Sequence, residues 1–413
     1  MKKDFYSRNR QKFADKMCEN SMAVFFSGSF LRDTCDQLFH PFSVERNFYY
    51  LTGIDSDGMA LLLHKSAQGV KEYLFILPVD EHHEKWQALM MRQPEAREIS
   101  GIENILYTYE FEKQVAGLMY GDGAVSSLYV FSSIAEMHEP LTQTQTFTKR
   151  FRDLYPAAAI HNSMPILLDQ RTSKTPEEIV EIQAAVDLAS GAIKHVAKKL
   201  EPGIFEYQIK AHYQHYLMMN NSKPRHRSIV AAGKNATILH YNVANYQVQD
   251  GDMVLIDAGA VHNWYVSDLT RTFPVNGKFS SKHRAYYDIV LEAELMAIDM
   301  MRVGSCEYDV DKAIHAFYGK ALKIMGLIKD ASDVGKYYFH DSGHHIGLDL
   351  HELRKPDKLY TENCVHTIEP GLYIAEEGFG IRIEDNILIT RNGPKVLSAD
   401  LLKSPNDIEN FMA

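Results

Sequence analysis

Cysteine is scarce in this 413-residue chain: Cys18, Cys35, Cys306 and Cys364 are widely scattered and form no CxxC pair. That scarcity argues against a disulfide scaffold and a cysteine-built zinc site, and it fits a reducing compartment. No apolar run approaches the roughly 18 residues that a membrane span needs. The basic start, Met1-Lys2-Lys3, is followed not by an apolar stretch but by Arg8, Arg10, Lys12 and Asp15. A cytoplasmic protein with no membrane partner is therefore expected. A basic excess is missing too. Lys and Arg total 44 against 54 Asp and Glu, a formal charge of −10, whereas a nucleic-acid binder would normally carry a positive surplus. There is no HExxH motif, so a helix-borne zinc-protease site is not indicated.

What remains is an ordinary globular composition, 45% apolar and 11% aromatic, with length enough for two domains. Residues 1–165 read as a small mixed α/β domain. A polar helix around Ser7–Cys18 leads into strand-like runs at Ala23–Phe26, Phe48–Leu51, Met59–His64 and Tyr73–Leu77, with Phe39-His40-Pro41 and Thr52-Gly53 as turns. The proline-flanked stretch 157–170 reads as a connector.

Residues 166–413 open with Thr175-Pro176-Glu177-Glu178, a capping threonine with proline at the first helical position and glutamate three residues after the cap. Ile182, Val186, Ala189, Ile193, Val196 and Leu200 then recur at helical spacing until Pro202-Gly203. A second helix over 205–221 precedes strands at Ser228–Ala232, Met253–Ala258 and Tyr265–Phe273. The order then begins again, with helices over 282–302 and 306–325 and strands at Val365–Ile368 and Ile381–Thr390. Residues 202–209 resemble 303–310, and Ile256-Asp257-Ala258-Gly259 resembles Ile368-Glu369-Pro370-Gly371. The recurrence points to a duplicated domain whose halves share a sheet core with helices outside.

Each half places an acid at the end of an apolar strand and another on the next strand: Asp257 with Asp268, and Glu369 with Glu384. Burying uncompensated carboxylates costs several kcal/mol or forces protonation. Four that converge need cations between them, and a pair of divalent ions about 3.5–4 Å apart meets that need. The plainer alternative is that each acid is a salt-bridged strand residue, with Arg271 and Arg382 as partners. Histidine supplies a further donor, because residues 339–352 hold His340, His344, His345 and His351 with Gly343 and Gly347 between them. His240, in Leu239-His240-Tyr241, would by itself read as a loop residue.

Together Asp257, Asp268, the His344 segment, Ile368-Glu369-Pro370-Gly371 and Arg382-Ile383-Glu384-Asp385 resemble the five-ligand pattern of the pita-bread metallopeptidases. That family includes methionine aminopeptidase, prolidase and aminopeptidase P. Residues 267–277, Gly371-Leu372-Tyr373-Ile374-Ala375 and the run from Phe42 to Gly53 are similar to the aminopeptidase P and prolidase branch, so the resemblance spans nearly the whole chain. It implies an N-terminal domain followed by a pseudo-twofold pita-bread catalytic domain. It also implies that Asp257, Asp268, His344, Glu369 and Glu384 hold two divalent ions, with Asp268 and Glu384 bridging and a metal-bridging hydroxide as nucleophile. His344 is preferred to His345 for its spacing to Gly347, Leu348 and His351.

By the same resemblance, Glu369 shuttles the proton, His240 and His351 hydrogen-bond the substrate carbonyl, Arg382 orients a carboxylate ligand, and His340 lines the entrance. The oxygen-rich donor set favours Mn²⁺, with Co²⁺ or Zn²⁺ next. The implied reaction cleaves the bond before a penultimate proline, as an Xaa-Pro aminopeptidase or alternatively an Xaa-Pro dipeptidase, in a homodimer or larger homo-oligomer. A catalytically silent binding module of the same fold, or a metal-free hydrolase such as creatinase, is disfavoured by the five intact ligands. Two departures from the family pattern, Asp341 and His345, flank the metal histidine and bear on substrate preference.

Overall fold

The computed structural model describes residues 1–30, 40–121, 124–131 and 138–413, so Cys35 and Phe39 lie outside the described residues. The chain forms two compact units, Met1–Gln170 and Arg171–Ala413. Cys18, Cys306 and Cys364 are free thiols.

The first unit begins with α1 (Lys3–Asp15), β1 (Ser21–Phe26), α2 (Arg46–Thr52), β2 (Ala60–Ser66) and β3 (Gly69–Ile76). It continues with α3 (Glu81–Trp86), α4 (Gln93–Ser100), β4 (Asn104–Tyr107), α5 (Phe111–Tyr120), β5 (Ser127–Val130), α6 (Gln143–Leu154) and β6 (Ala159–Asn162). The six strands make one sheet in the order β4-β3-β2-β1-β5-β6. Alternate residues Met22, Val24 and Phe26 of β1 pack with Leu62, Phe75 and Leu128 on one face, as the two-residue period of a strand requires.

Two expectations fail in this unit. Residues 48–51 are helical, not extended: Glu45 caps α2 by accepting from Phe48 N at 2.8 Å, and Gly53 ends it at φ 74°. Every residue of α2 is buried, so its aromatic run carries no amphipathic signature to separate helix from strand. The supposed connector 157–170 supplies the edge strand β6 and most of α7 (Met164–Thr172).

The second unit runs α8 (Pro176–Ala197), α9 (Glu206–Met219), β7 (Ile229–Ala232), β8 (Met253–Ala258), β9 (Val261–His262), β10 (Tyr265–Val266) and β11 (Leu269–Pro274). The second half follows with α10 (Ser281–Met300), α11 (Glu307–Ile324), β12 (Val365–Ile368), β13 (Gly371–Ile374), β14 (Phe379–Arg382), β15 (Asp385–Thr390) and β16 (Gly393–Val396). A last helix, α12 (Pro405–Met412), closes the chain. The capping box at Thr175 starts α8 as the sequence predicts.

The duplication is visible in detail. Each half has two helices, a strand, a hairpin (β9–β10 or β13–β14), and a strand antiparallel to the first (β11 on β8, β15 on β12). Gly203 and Gly304 take positive φ before α9 and α11, and donate to the matching carbonyls of Val248 and Tyr360 at 2.8 and 2.9 Å. Both halves interrupt what the sequence presents as one long strand. Asp268 falls between β10 and β11, and Glu384 between β14 and β15. Each acid thus stands one residue ahead of a ladder strand at the same place in its half.

Candidate active site

Those interruptions aim side chains at a cavity of about 450 Å³ in the second unit. It is lined by Asp257, Asp268, Glu369 and Glu384, by Arg382, and by His226, His240, His340, His344 and His351. Every site residue expected from the sequence is therefore gathered there. Asp257 reaches it from β8, Glu369 from the turn after β12, and Arg382 from the end of β14. His344 comes from an irregular segment that approaches β12 closely. A Cβ on Gly343 would lie 2.2 Å from the Thr367 carbonyl oxygen, so only glycine admits the approach.

The two halves brace one another's acids. Asn386 holds the Asp268 backbone from both sides, accepting from its N–H at 3.1 Å and donating to its carbonyl at 2.6 Å. Glu384 N–H donates to the Thr270 carbonyl at 3.0 Å, and the Thr270 hydroxyl donates to Glu384 Oε2 at 2.7 Å.

Several nitrogen and oxygen atoms able to ligate a cation converge here. His226 Nε2 lies 3.3 Å from Asp268 Oδ1 and 3.6 Å from Asp257 Oδ1, while His344 Nε2 lies 3.5 Å from Asp268 Oδ2 and 3.9 Å from Glu369 Oε1. Both imidazoles direct Nδ1 at a backbone carbonyl, Arg227 O at 3.3 Å and His345 O at 3.2 Å. A carbonyl cannot donate, so Nδ1 carries the proton and Nε2 is the atom left to face the acids. Asp268 Oδ1, Glu384 Oε1 and His226 Nε2 are buried with no hydrogen bond. His226, Asp257 and Asp268 form one group able to hold a metal ion, and Asp268, His344 and Glu384 form another. Unsatisfied buried carboxylate and imidazole atoms fit divalent cations by their chemistry.

Without cations, protons share the charge. Burial works against protonated imidazole, yet the charge of Asp268 lifts both His226 and His344 to about 9. Those cations hold Asp268 well below the usual carboxylate range despite its burial. Burial pushes Glu369 up to about 7, and burial with the charge of Asp268 pushes Glu384 well above its ordinary value.

Arg382 ion-pairs with Asp257 and donates to Tyr373 Oη at 2.9 Å. That pair engages Asp257 Oδ2 and leaves Oδ1 facing His226, whereas Arg271 turns away from the cavity to Asp385 at 2.6 Å. His340 directs Nδ1 at Asp341 O and Nε2 at Tyr373 Oη, each at 2.8 Å, so both ring nitrogens are engaged within the wall. Burial and Arg382 push His340 down to about 4. His351 stacks on His344, ring centroids 4.1 Å apart and 15° from parallel. Sequence reasoning missed His226 and Tyr373. Between Arg225 and Arg227, His226 reads as part of a basic loop, and Tyr373 reads as one more strand aromatic.

The profile for metallopeptidase family M24 matches residues 180–391, and that for the aminopeptidase P N-terminal domain matches residues 6–126. An Xaa-Pro aminopeptidase of Haemophilus influenzae is 33% identical over 432 aligned positions, covering 100% of this chain and 97% of the relative. A structure from Bacillus anthracis, described as a candidate aminopeptidase P, superposes with a TM-score of 0.97 at 36% identity, covering 100% of this chain and 98% of the other. Aminopeptidase P from Escherichia coli, solved with the inhibitor Pro-Leu, has a TM-score of 0.91 at 28% identity, with 100% and 98% covered.

Proposed function

We infer the activity from kinship and cavity together: the chain belongs to metallopeptidase family M24. It is a metallo-aminopeptidase that hydrolyses the bond between an N-terminal residue and a penultimate proline. The observation that carries this reading is end-to-end similarity to an Xaa-Pro aminopeptidase combined with four carboxylates and the imidazoles of His226 and His344 converging on one cavity. Proline gives such an enzyme its purpose, since its tertiary amide has no N–H and its ring fixes φ. Pro-Leu, the inhibitor bound to the Escherichia coli relative, is also what remains when Xaa-Pro-Leu loses its first residue.

Asp257, Asp268, His344, Glu369 and Glu384 would hold two divalent cations, with Asp268 and Glu384 serving both. Bound cations supply Lewis acidity and lower the pKa of water toward neutrality. An oxygen-rich donor set favours Mn²⁺, and His226 would add a nitrogen that raises affinity for Zn²⁺ or Co²⁺. Glu369 lines the same cavity as an ionised carboxylate once cations are bound. It can take a proton from the attacking water and return it to the proline nitrogen as the bond breaks. His240 and His351 donate to the substrate carbonyl oxygen and stabilise the charge that develops there. Arg382, tied to Asp257 and Tyr373, holds that carboxylate in place. His340 keeps Tyr373 in the same chain of bonds and forms part of the wall against which the substrate lies.

Residues 1–165 serve as an aminopeptidase P-type N-terminal domain, a reading supported by the family match over 6–126, and the scarcity of cysteine supports a cytoplasmic setting, with the homo-oligomer resting on the family resemblance alone. No helix among the described residues is long and apolar enough to cross a membrane. The test is product analysis with Ala-Pro and Ala-Pro-Ala, each with Mn²⁺ and with a chelator. Metal-dependent release of alanine from the tripeptide is expected. Cleavage of the dipeptide alone would make the enzyme a dipeptidase instead.

A further inference from the structure

Outside the proposed catalytic ligands, Glu307, His345 and His366 bring one carboxylate and two imidazoles together in the interior. Glu307 opens α11, His366 lies on β12, and His345 lies in the segment bridged to His366. His345 Nε2 hydrogen-bonds Glu307 Oε1 at 3.0 Å, leaving its own Nδ1 buried without a partner, and His366 Nε2 is 3.9 Å from the same oxygen. His366 directs Nδ1 at the Thr367 carbonyl, so Nδ1 holds the proton and Nε2 of the neutral ring is a bare lone pair. That lone pair is buried, has no hydrogen bond, and faces a carboxylate oxygen. Two acceptors held this way repel unless something positive stands between them. The Nδ1-to-carbonyl anchor is also the one seen at His226 and His344, and it is the usual support of a metal-ligating imidazole.

The duplication supplies a control. Glu206 occupies the equivalent place at the start of α9, and its backbone N–H donates to Tyr246 O as that of Glu307 donates to Lys358 O. Its carboxylate is saturated by neutral donors: Ala232 N at 2.8 Å, Asn235 Nδ2 at 3.1 Å, Tyr241 Oη at 2.9 Å and Tyr246 N at 3.1 Å. At Glu307 two imidazoles stand in their place, and the remaining partner, Arg354 Nη1, is 3.4 Å away on the other oxygen, Oε2. Oε1 is left to the histidines.

We propose that Glu307, His345 and His366 form a further divalent-cation site of the zinc class, separate from the catalytic ligands. Two imidazoles and one carboxylate are a donor set suited to Zn²⁺, with bond lengths of about 2.0–2.2 Å and a fourth position open to water. His345 and Arg354 also line the cavity, which gives the ion a route in. An ion there ties β12, which leads to Glu369, to the segment carrying His344 and to the start of α11. The site steadies two catalytic ligands without touching substrate.

The test uses full-length protein stripped with chelator and equilibrated with Zn²⁺ alone, with bound metal counted by mass spectrometry. His366→Gln and Glu307→Gln are each expected to hold one equivalent fewer than the unaltered chain. Equal counts would overturn the site and leave a proton-sharing network in its place. Should the variants fail to fold, crystals of the unaltered chain soaked in Zn²⁺ decide by anomalous scattering. A peak enclosed by the three side chains supports the site, and its absence refutes it. Peaks among Asp257, Asp268 and Glu384 report separately on the catalytic reading.

Discussion

Loading the catalytic cavity with metal at neutral pH should expel protons, and the structure bounds how many. At pH 7 His226 and His344, both lifted to about 9, each retain nearly a full proton. Glu369 near 7 retains about half of one, and Glu384, pushed well up by burial and Asp268, adds to the count. Cation binding requires neutral imidazole and ionised carboxylate, so these protons must leave. The four groups share one field, and His226 loses its proton only if it joins the ligands. Release of about two to four protons per loaded site follows. Each displaced proton makes apparent affinity about tenfold per pH unit steeper, or about 1.4 kcal/mol. Raising the pH from 6 to 7 should therefore tighten Mn²⁺ binding by about 10²- to 10⁴-fold, in the direction of stronger binding at higher pH. Titration calorimetry of chelator-stripped protein in buffers of different ionisation enthalpy reads the proton count directly. Release of less than one proton, or affinity indifferent to pH, would refute the claim that protons stand in for cations in the chelator-stripped protein.

Three other expectations follow from particular contacts. Replacing Glu369 by Gln removes the proton carrier and should lower Ala-Pro-Ala hydrolysis by about 10²- to 10⁴-fold, with circular dichroism unchanged. Asp385→Ala leaves the fully buried guanidinium of Arg271 without its carboxylate. A loss of about 3–5 kcal/mol in urea denaturation is expected, and a change under 1 kcal/mol would contradict the pairing. His226→Gln withdraws a nitrogen beside Asp257 and Asp268, so the Zn²⁺-to-Mn²⁺ affinity ratio should fall severalfold in competition dialysis.

The catalytic unit was legible because its signals are local and repeat. The proline-and-glutamate start of α8, the alternation of strands, and acids at matching strand ends all survive as patterns in the chain. The interruptions at Asp268 and Glu384 were not, because apolar residues continue on both sides and nothing in composition marks a residue that leaves the ladder. The strand expected at Phe48–Leu51 failed for a related reason: a helix buried on every side has no polar face, and a run of aromatics then looks like a strand. His226 was hidden differently. Its role depends on a carboxylate 42 residues further along the chain and on the burial both share, neither of which sequence spacing encodes.

The interruptions also explain why the site needs both halves. Asp268 is fixed through Asn386, a residue of the second half, and Glu384 through Thr270, a residue of the first. Arg271 leaves β11 to be neutralised by Asp385 at the start of β15, and donates as well to the carbonyl of Glu384 at 2.7 Å. Each half thus draws on the other to fix its acid at the cavity. An isolated half would leave its strand-breaking carboxylate, or in the first half a buried arginine, without compensation, which costs several kcal/mol. The reciprocal bracing makes formation of the donor cluster an event of the whole catalytic unit. It also places the acids by backbone and neighbouring side chains before any cation arrives, which is the preorganisation that electrostatic catalysis requires.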